Sequence, residues 1–471
     1  MFCGDRAQIR PKIRGAGRSR LPFKLGKNAS FRFMKQAASI WMTARVQTNR
    51  CKRQAKRLII NEGPKALSDK IRTKLSDALR PKTFLWHVFP SDVLQVDLSK
   101  PTKPTIPTIS DGEPIEMNWL VGPASPGSGG HTTIFRTLKH LQSAGYRNRV
   151  YFYDPYGGDP KYYEHVARSH YGLTCDIEDL RLGMRNAHGI VATCWPTAYA
   201  AFNAPCDGKR FYFIQDYEPH FYPVGTNSAL AEATYKMGFH GITAGRWLSE
   251  KLSREFAMET DWFPFGCDTG RYQFDPGSRR SGIAFYARGG TPRRAVEIGL
   301  LALELFNKRQ PEIELHLFGQ RMGRLPFKFI NHGLVSPEKL NNIYNSCFAG
   351  LSLSLTNVSL VPHEMLACGC LPVVNDAEHN RIVLENDNVR YASLLPHALA
   401  EALEAVVTMP DFFLASRRAA ESVKATSWAA AGEAVDRALR QALTRPQGPP
   451  IGEFEQTRSR VRPMPVLMRS P

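Results

Sequence analysis

From residue 112 onward, short apolar runs alternate with longer segments whose apolar positions recur at helical spacing. The runs "IEMNWLVG", "NRVYFYD", "GIVAT", "RFYFIQD", "GITAG" and "TDWFPF" predict strands, and "GSGGHTTIFRTLKHLQSAGY" and "RWLSEKLSREF" predict helices among them. After "GCDTGRYQFDPGSRR" the pattern restarts as strand "IAFYA", helix "RRAVEIGLLALELFNKR", strand "IELHLFG", helix "PEKLNNIYNS" and strand "AGLSLSL". Short fully apolar strands alternating with helices predict an α/β fold with parallel, doubly wound sheets. The restart makes two Rossmann-like domains, 112–270 and 271–430, facing each other across a cleft. Ligands of such folds bind at the C-terminal ends of the strands.

The stretch "SLSLTNVSLVPHEMLACGCLPVV" (352–374) reads as an apolar strand, a polar turn, a short helix and a second strand. Pro362 fits a first helical turn, where the N–H it lacks has no intrahelical partner. The helix is expected to start near Ser359, with Ser359 or Asn357 as N-cap. Free N–H groups around Ser359, Leu360 and Val361 would then form an anion site. Glu364 either complements the helix dipole or serves a ligand.

The 471 residues carry a formal net charge of +19, but unevenly. Residues 1–82 hold 22 Lys and Arg against 4 Asp and Glu, residues 441–471 hold 5 against 2, and the body between is close to neutral. The first thirty residues have the composition of a disordered segment. Within 31–60, Phe33, Ala37, Ile40 and Trp41 recur at helical spacing among basic residues, predicting an amphipathic helix for an anionic membrane, a nucleic acid or the protein's own surface. "KPTKPTIPTISDGEP" makes 83–111 a linker or wrapping arm, and 431–471 is expected to be a C-terminal helix and flexible tail. The nearly neutral body, without an RNA-binding motif, argues against nucleic acid as a partner. No apolar run is long enough to span a membrane, and no secretory leader is read at the N-terminus. The nine cysteines show no C-x-x-C and no zinc spacing, which fits a reducing cytoplasm and buried thiols.

Three stretches at strand ends carry candidate chemistry. "PASPGSGGH" opens the first helix, and Gly129 and Gly130 would let backbone amides approach an anion, with His131 beside them. "YARGGTPRR" brings Arg288, Arg293 and Arg294 to the second domain's cleft, where guanidinium forks suit a diphosphate. "FIQDYEPHFYP" carries Asp216, Glu218 and His220, a set able to bind acceptor hydroxyls or move protons, or to cap the next helix. Amides and guanidinium groups for phosphate, with Glu364 for ribose hydroxyls, describe a nucleoside diphosphate site.

The order of the "GG" loop, "GCD", "YARGGTPRR", "LFG", "HGLVSPEKLNNIYNS" and "SLTNVSLVPHEMLACGCLPVV" over about residues 112–425 resembles glycosyltransferase family 4. "FIQDYEPHFYP" and "SLTNVSLVPHEM" are further similar to bacterial rhamnosyltransferases of surface-polysaccharide assembly. The resemblance implies a GT-B fold, transfer with retention from a nucleotide-sugar, and no metal or other cofactor. The implied donor is dTDP-linked rhamnose and the implied acceptor a glycan or lipid-linked glycan, used in the cytoplasm or at the inner face of the membrane. It makes Glu364 the ribose ligand, Gly129 and Gly130 the phosphate loop, and Arg288 with Arg293 or Arg294 the diphosphate clamp. The family's sugar-contacting glutamate falls at Thr356, so contacts to the donor sugar shift elsewhere, with Asn357 as a candidate. Asp216, Glu218, His220 and His131 fall to acceptor binding, and Arg288, Asp216 and Glu218 are the catalytic candidates. A GT-B phosphorylase, a nucleotide-sugar epimerase, and a basic nucleic-acid-binding protein with a relic enzyme body are the alternatives.

Overall fold

The computed structural model describes residues 70–76, 78, 85–100 and 104–450. The chain divides into two compact units at Leu85/Trp86. In the first, residues 70–76 are helical and exposed. The amphipathic helix expected around Phe33 to Trp41 and the tail beyond residue 450 lie outside the described residues.

The second unit holds two sheets whose paired strands all run parallel. The first sheet contains β1 (Ile115–Val121), β2 (Tyr146–Phe152), β3 (Asp176–Glu178), β4 (Gly189–Ala192), β5 (Lys209–Ile214), β6 (His240–Ala244) and β7 (Thr260–Phe263), in the order β3-β2-β1-β4-β5-β6-β7. The second contains β8 (Gly282–Tyr286), β9 (Glu314–Phe318), β10 (Ile330–Gly333), β11 (Cys347–Leu351), β12 (Leu371–Asn375) and β13 (Arg390–Ala392), in the order β10-β9-β8-β11-β12-β13. β4, β5 and β6 are buried throughout because helices cover both faces, so their apolar residues run on without alternating, although β5 opens with buried Lys209 and Arg210 and β6 with buried His240. The central strands thus follow the hydrophobic pattern. The pattern missed β3, β10 and β13, short elements at or near the sheet edges whose few residues carry little periodic signal.

In each sheet the chain order reverses between two central strands, β1 and β4 in the first and β8 and β11 in the second. A crevice opens at such a reversal, at the strands' C-terminal ends. The loops leaving β1, β5, β8 and β11 contain every stretch singled out for chemistry.

The C-terminal helix departs from its expected place. It spans Trp428–Leu443, so it begins inside the second domain's expected range, and Ala431, Val435 and Leu439 bury into the first domain's core. The chain therefore crosses between the domains twice, near 264–268 and 424–428. The crossings touch through a bridge between Cys267 and Ser427. Arg136 seals them, pairing with Asp268 at 2.7 Å and lying 5.0 Å over the Trp428 ring. A Cβ at Gly266 would meet that ring at 2.5 Å, so the crossing requires glycine there.

Residues 86–100 and 104–111 form an arm over the first domain rather than a free linker. Val88 is buried, the Phe89 amide donates to the Tyr153 hydroxyl at 2.8 Å, and that hydroxyl donates to Asp92 at 2.7 Å. The Gly208 amide donates to the Thr105 carbonyl at 2.9 Å. Among the described residues no helix is long and apolar enough to cross a membrane.

Lys209 ties the C-terminal helix down. Its buried ammonium donates to the carbonyls of Ala442, Arg445 and Pro446 at 2.6, 3.0 and 3.1 Å, where the helix dipole is negative. Lys209→Met should cost about 2–4 kcal/mol, because it keeps the stem's packing and strands buried carbonyls. Equilibrium urea unfolding measures this; a loss within error would mean that the ammonium does not hold the helix.

Candidate functional site

The helix Gly129–Ser143 is capped by Ser128, whose side chain accepts from the His131 amide. Gly127, at φ +70°, turns the chain into that cap. Gly129 and Gly130 are the first helical residues, so their amides lack intrahelical partners. A Cβ at Gly129 would meet nothing within 4 Å, and one at Gly130 would meet only the Gln215 and Ser128 side chains beyond 3.6 Å. The His131 ring stacks on Phe135, places Nε2 3.4 Å from the Gly122 carbonyl, and leaves Nδ1 buried without a partner among the described residues. Burial lowers its pKa, keeping the imidazole neutral.

The three arginines have separate fates. Arg288, just past β8, is exposed, and its guanidinium makes no hydrogen bond or ion pair among the described residues. Arg293 reaches across the cleft: its Nε lies 3.3 Å from Asp216, and its guanidinium sits 4.1 Å over the Phe221 ring. Arg294 turns inward, donating to the Ser354 hydroxyl at 2.6 Å and the Asn357 carbonyl at 3.2 Å. Sequence treated Arg293 and Arg294 as interchangeable clamp residues. Here Arg294 supports the 352–360 loop, while Arg293 is already neutralised by a carboxylate.

The opening stretch also differs from its expected shape. β11 stops at Leu351, and the residues after it form an irregular loop. Polar side chains fix that loop: Asn375 exchanges hydrogen bonds with both backbone groups of Ser354, at 2.9 and 2.7 Å, and His379 lies 2.9 Å from the Ser354 carbonyl. The helix spans Val361–Ala367, and its N-cap is Leu360 rather than Ser359 or Asn357. At seven residues it has little macrodipole, but the amides of Ser359, Leu360 and Val361 have no backbone partner among the described residues and stay open to a ligand.

Thr356 and Asn357, the candidates for the donor sugar, are both buried. Thr356 is 1% exposed and its hydroxyl is sealed off without a partner among the described residues. The Asn357 amide donates across the domain boundary to the carbonyls of Gln215 at 2.9 Å and Ala244 at 3.0 Å. Its side-chain carbonyl accepts from the Val358 amide and the residue is fully buried, so the side chain is closed to a sugar. Gly245 follows at φ +84°, with Val383 of the second domain 3.0 Å from where a Cβ would stand. The domains are closed on one another here.

Glu364 remains beside the cleft, next to the crossing residues. The Tyr344 hydroxyl donates to it at 3.4 Å, and Tyr272, Asp268 and Arg136 stand close enough to act on its charge. Burial pushes its carboxyl up to about 7, against the tyrosine hydroxyls that stabilise the anion. Glu218 is not at the acceptor face expected for it. It is 4% exposed and accepts from the Trp195 amide at 2.6 Å, satisfying the N-terminus of an earlier helix, Trp195–Asn203. Burial pushes it up to about 8. Asp216 is also buried and pairs with Arg293, which leaves His220, exposed and edge-on to Tyr217, as the accessible member of that trio. Sequence reasoning missed Gln215, Phe221, Tyr272 and Tyr344, although each lies inside a quoted stretch: "FIQDYEPHFYP", "GCDTGRYQFDPGSRR" or "HGLVSPEKLNNIYNS".

Asn357→Asp should place an anion against two carbonyls and loosen the domain contact. Small-angle X-ray scattering should show a larger radius of gyration with unchanged circular dichroism. An unchanged radius would mean that closure rests on other contacts.

Residues 174–244 match the N-terminal domain of WsaF, and residues 281–404 match its C-terminal domain. The chain is 35% identical over 263 residues to the O-antigen biosynthesis protein RfbC of Myxococcus xanthus, a match covering 54% of this chain and 20% of that protein. It therefore spans about a fifth of the curated relative's length. Among solved structures, S. aureus TarM aligns over 72% of this chain and all of its own, at 8% identity and TM-score 0.58. The pneumococcal O-GlcNAc transferase GtfA aligns over 70% and 99%, at 9% identity and TM-score 0.54. With two Rossmann-like sheets facing one another, the chain has the GT-B fold, and each half contains a stretch similar to one WsaF domain.

Proposed function

We propose that the chain is a glycosyltransferase of surface-polysaccharide synthesis, which moves a sugar from a nucleoside diphosphate to a glycan acceptor. The observation that carries this reading is the cleft between the switch points of the two sheets. The reading assigns to it the amides at Gly129 and Gly130, the Arg288 guanidinium, the amides at Ser359 to Val361, and Glu364. Amides and a guanidinium suit the diphosphate, and a carboxylate suits ribose hydroxyls. The relative at 35% identity is an O-antigen biosynthesis protein, and the solved TarM and GtfA complexes contain UDP with GlcNAc or a GlcNAc glycoside. The donor proposed is dTDP-rhamnose, from the resemblance of "FIQDYEPHFYP" and "SLTNVSLVPHEM" to rhamnosyltransferases. Transfer is proposed to proceed with retention and without a metal; the leaving phosphate takes the acceptor's proton, so no side chain must serve as base. Asp216 would reach an acceptor only after parting from Arg293. The enzyme would work at the cytoplasmic face of a membrane, held to anionic lipid by the basic residues 1–82.

Isothermal titration with dTDP, UDP and GDP tests the core of this reading. Micromolar to millimolar binding of dTDP above the others is expected, and no binding of any of the three would overturn it. Glu364→Gln should weaken binding by about 1–3 kcal/mol, the worth of hydrogen bonds to a charged group. A raised carboxyl is half-protonated near pH 7, and ribose hydroxyls favour its anion. Wild-type affinity should therefore rise between pH 6 and pH 8 more than nucleotide ionisation alone explains, and the excess should vanish in Glu364→Gln. Equal pH profiles would remove Glu364 from the nucleotide site.

A further inference from the structure

We propose that the arm and the loops leaving β2 and β5 form a saccharide subsite in the first domain, built on the rings of His87, Tyr156 and Tyr222. The choice of a saccharide rests on the transferase reading; the cluster itself does not.

The three rings come from distant parts of the chain. His87 belongs to the arm, Tyr156 to the loop leaving β2, and Tyr222 to the loop leaving β5 that also carries Asp216 and Phe221. His87 Nδ1 lies 2.5 Å from the Tyr156 hydroxyl, and its ring packs edge-on to Tyr156 at 5.9 Å and tilted on Tyr222 at 5.5 Å. The arm is anchored directly after His87, by buried Val88 and by the Phe89 amide on Tyr153, so the imidazole is held in place. His87 Nε2 makes no hydrogen bond among the described residues. Tyr156 is 52% exposed, and Trp86, the neighbour of His87 in the chain, is 43% exposed.

The cluster is continuous with the cleft. The Tyr222 hydroxyl accepts from Trp195 Nε1 at 3.1 Å, the Trp195 amide is held by Glu218, and two residues before Glu218 is Asp216, paired with Arg293. Tyr156, half exposed, offers one apolar ring face, and the partly buried rings of His87 and Tyr222, edge-on and tilted rather than coplanar, stand beside it with their polar atoms. A pyranose has the matching form, with C–H groups on its face and hydroxyls around its rim. A subsite here would hold sugar units of the acceptor beyond the one that reacts. His87 and Tyr156 lie outside both WsaF matches, and Tyr222 lies within the N-terminal one.

Saturation-transfer NMR on the full chain, with short linear oligosaccharides of neutral and 6-deoxy pyranoses as probes, tests the subsite. Wild type should transfer saturation to ring protons of at least one probe. Tyr156→Ala and His87→Ala should weaken that binding about tenfold, whereas Tyr156→Phe, which keeps the ring, should change it by less than about twofold. Nucleotide affinity, measured by calorimetry on the same variants, should not move. Failure of every oligosaccharide to bind wild type, equal binding by Tyr156→Ala, or displacement of the sugar by a nucleoside diphosphate would each overturn the proposal. If oligosaccharides bind as expected and no nucleotide does, the transferase reading fails and the subsite stands.

Discussion

The arrangement depends on the Asn357 side chain, which gives both amide hydrogens to carbonyls of the opposite domain, at the ends of β5 and β6. Two sheets joined by only two chain crossings would be free to swing apart; an interface within a chain holds only where it is large or specifically bonded. Asn357 supplies the specific bonds. It draws the 352–360 loop against the first domain, and with the loop come Arg294 beneath it and the open amides of Ser359 to Val361. Arg293 adds a second contact from the loop after β8, setting its charge between Asp216 and the face of Phe221. A cation held by both a carboxylate and a ring is a stronger tie than an exposed ion pair of the same length.

Closure also sets the charge of the groups beside the cleft. The buried Glu218 and the partly buried Glu364 are pushed upward, to about 8 and about 7, while the partly buried His131 and the buried His363 are pushed down, His363 to about 4. Each shift has burial as its largest cause. With Arg293 neutralised and Arg294 committed, Arg288 is the cation of that set left for a diphosphate, at the end of β8 where a phosphate would meet the switch point. The structure thus separates three arginines that stand within seven positions in sequence.

The fold was legible because buried parallel strands leave continuous apolar runs, and these repeat in both halves. The glycine turn into the first helix was legible too, since glycines at a strand-to-helix turn have a local cause. What was not legible was long-range. Nothing in "SLTNVSLVPHEM" indicates that Asn357 faces two carbonyls more than a hundred residues away, or that Thr356 is sealed off. "QDYEP" likewise does not say that Glu218 turns back to an earlier helix while Asp216 turns forward to an arginine. The C-terminal helix returns to the first domain because an apolar face there needs cover, and its sequence carries that face but not its partner.

If this cleft holds a nucleoside diphosphate, the ligand must bridge groups from both domains. Hydrogen–deuterium exchange on the full chain, with and without saturating dTDP, reads that directly. The account predicts slower exchange in three separated stretches at once: 128–132, 287–295 and 359–365. Protection confined to one domain, or absent from all three while calorimetry shows the nucleotide bound, would contradict it.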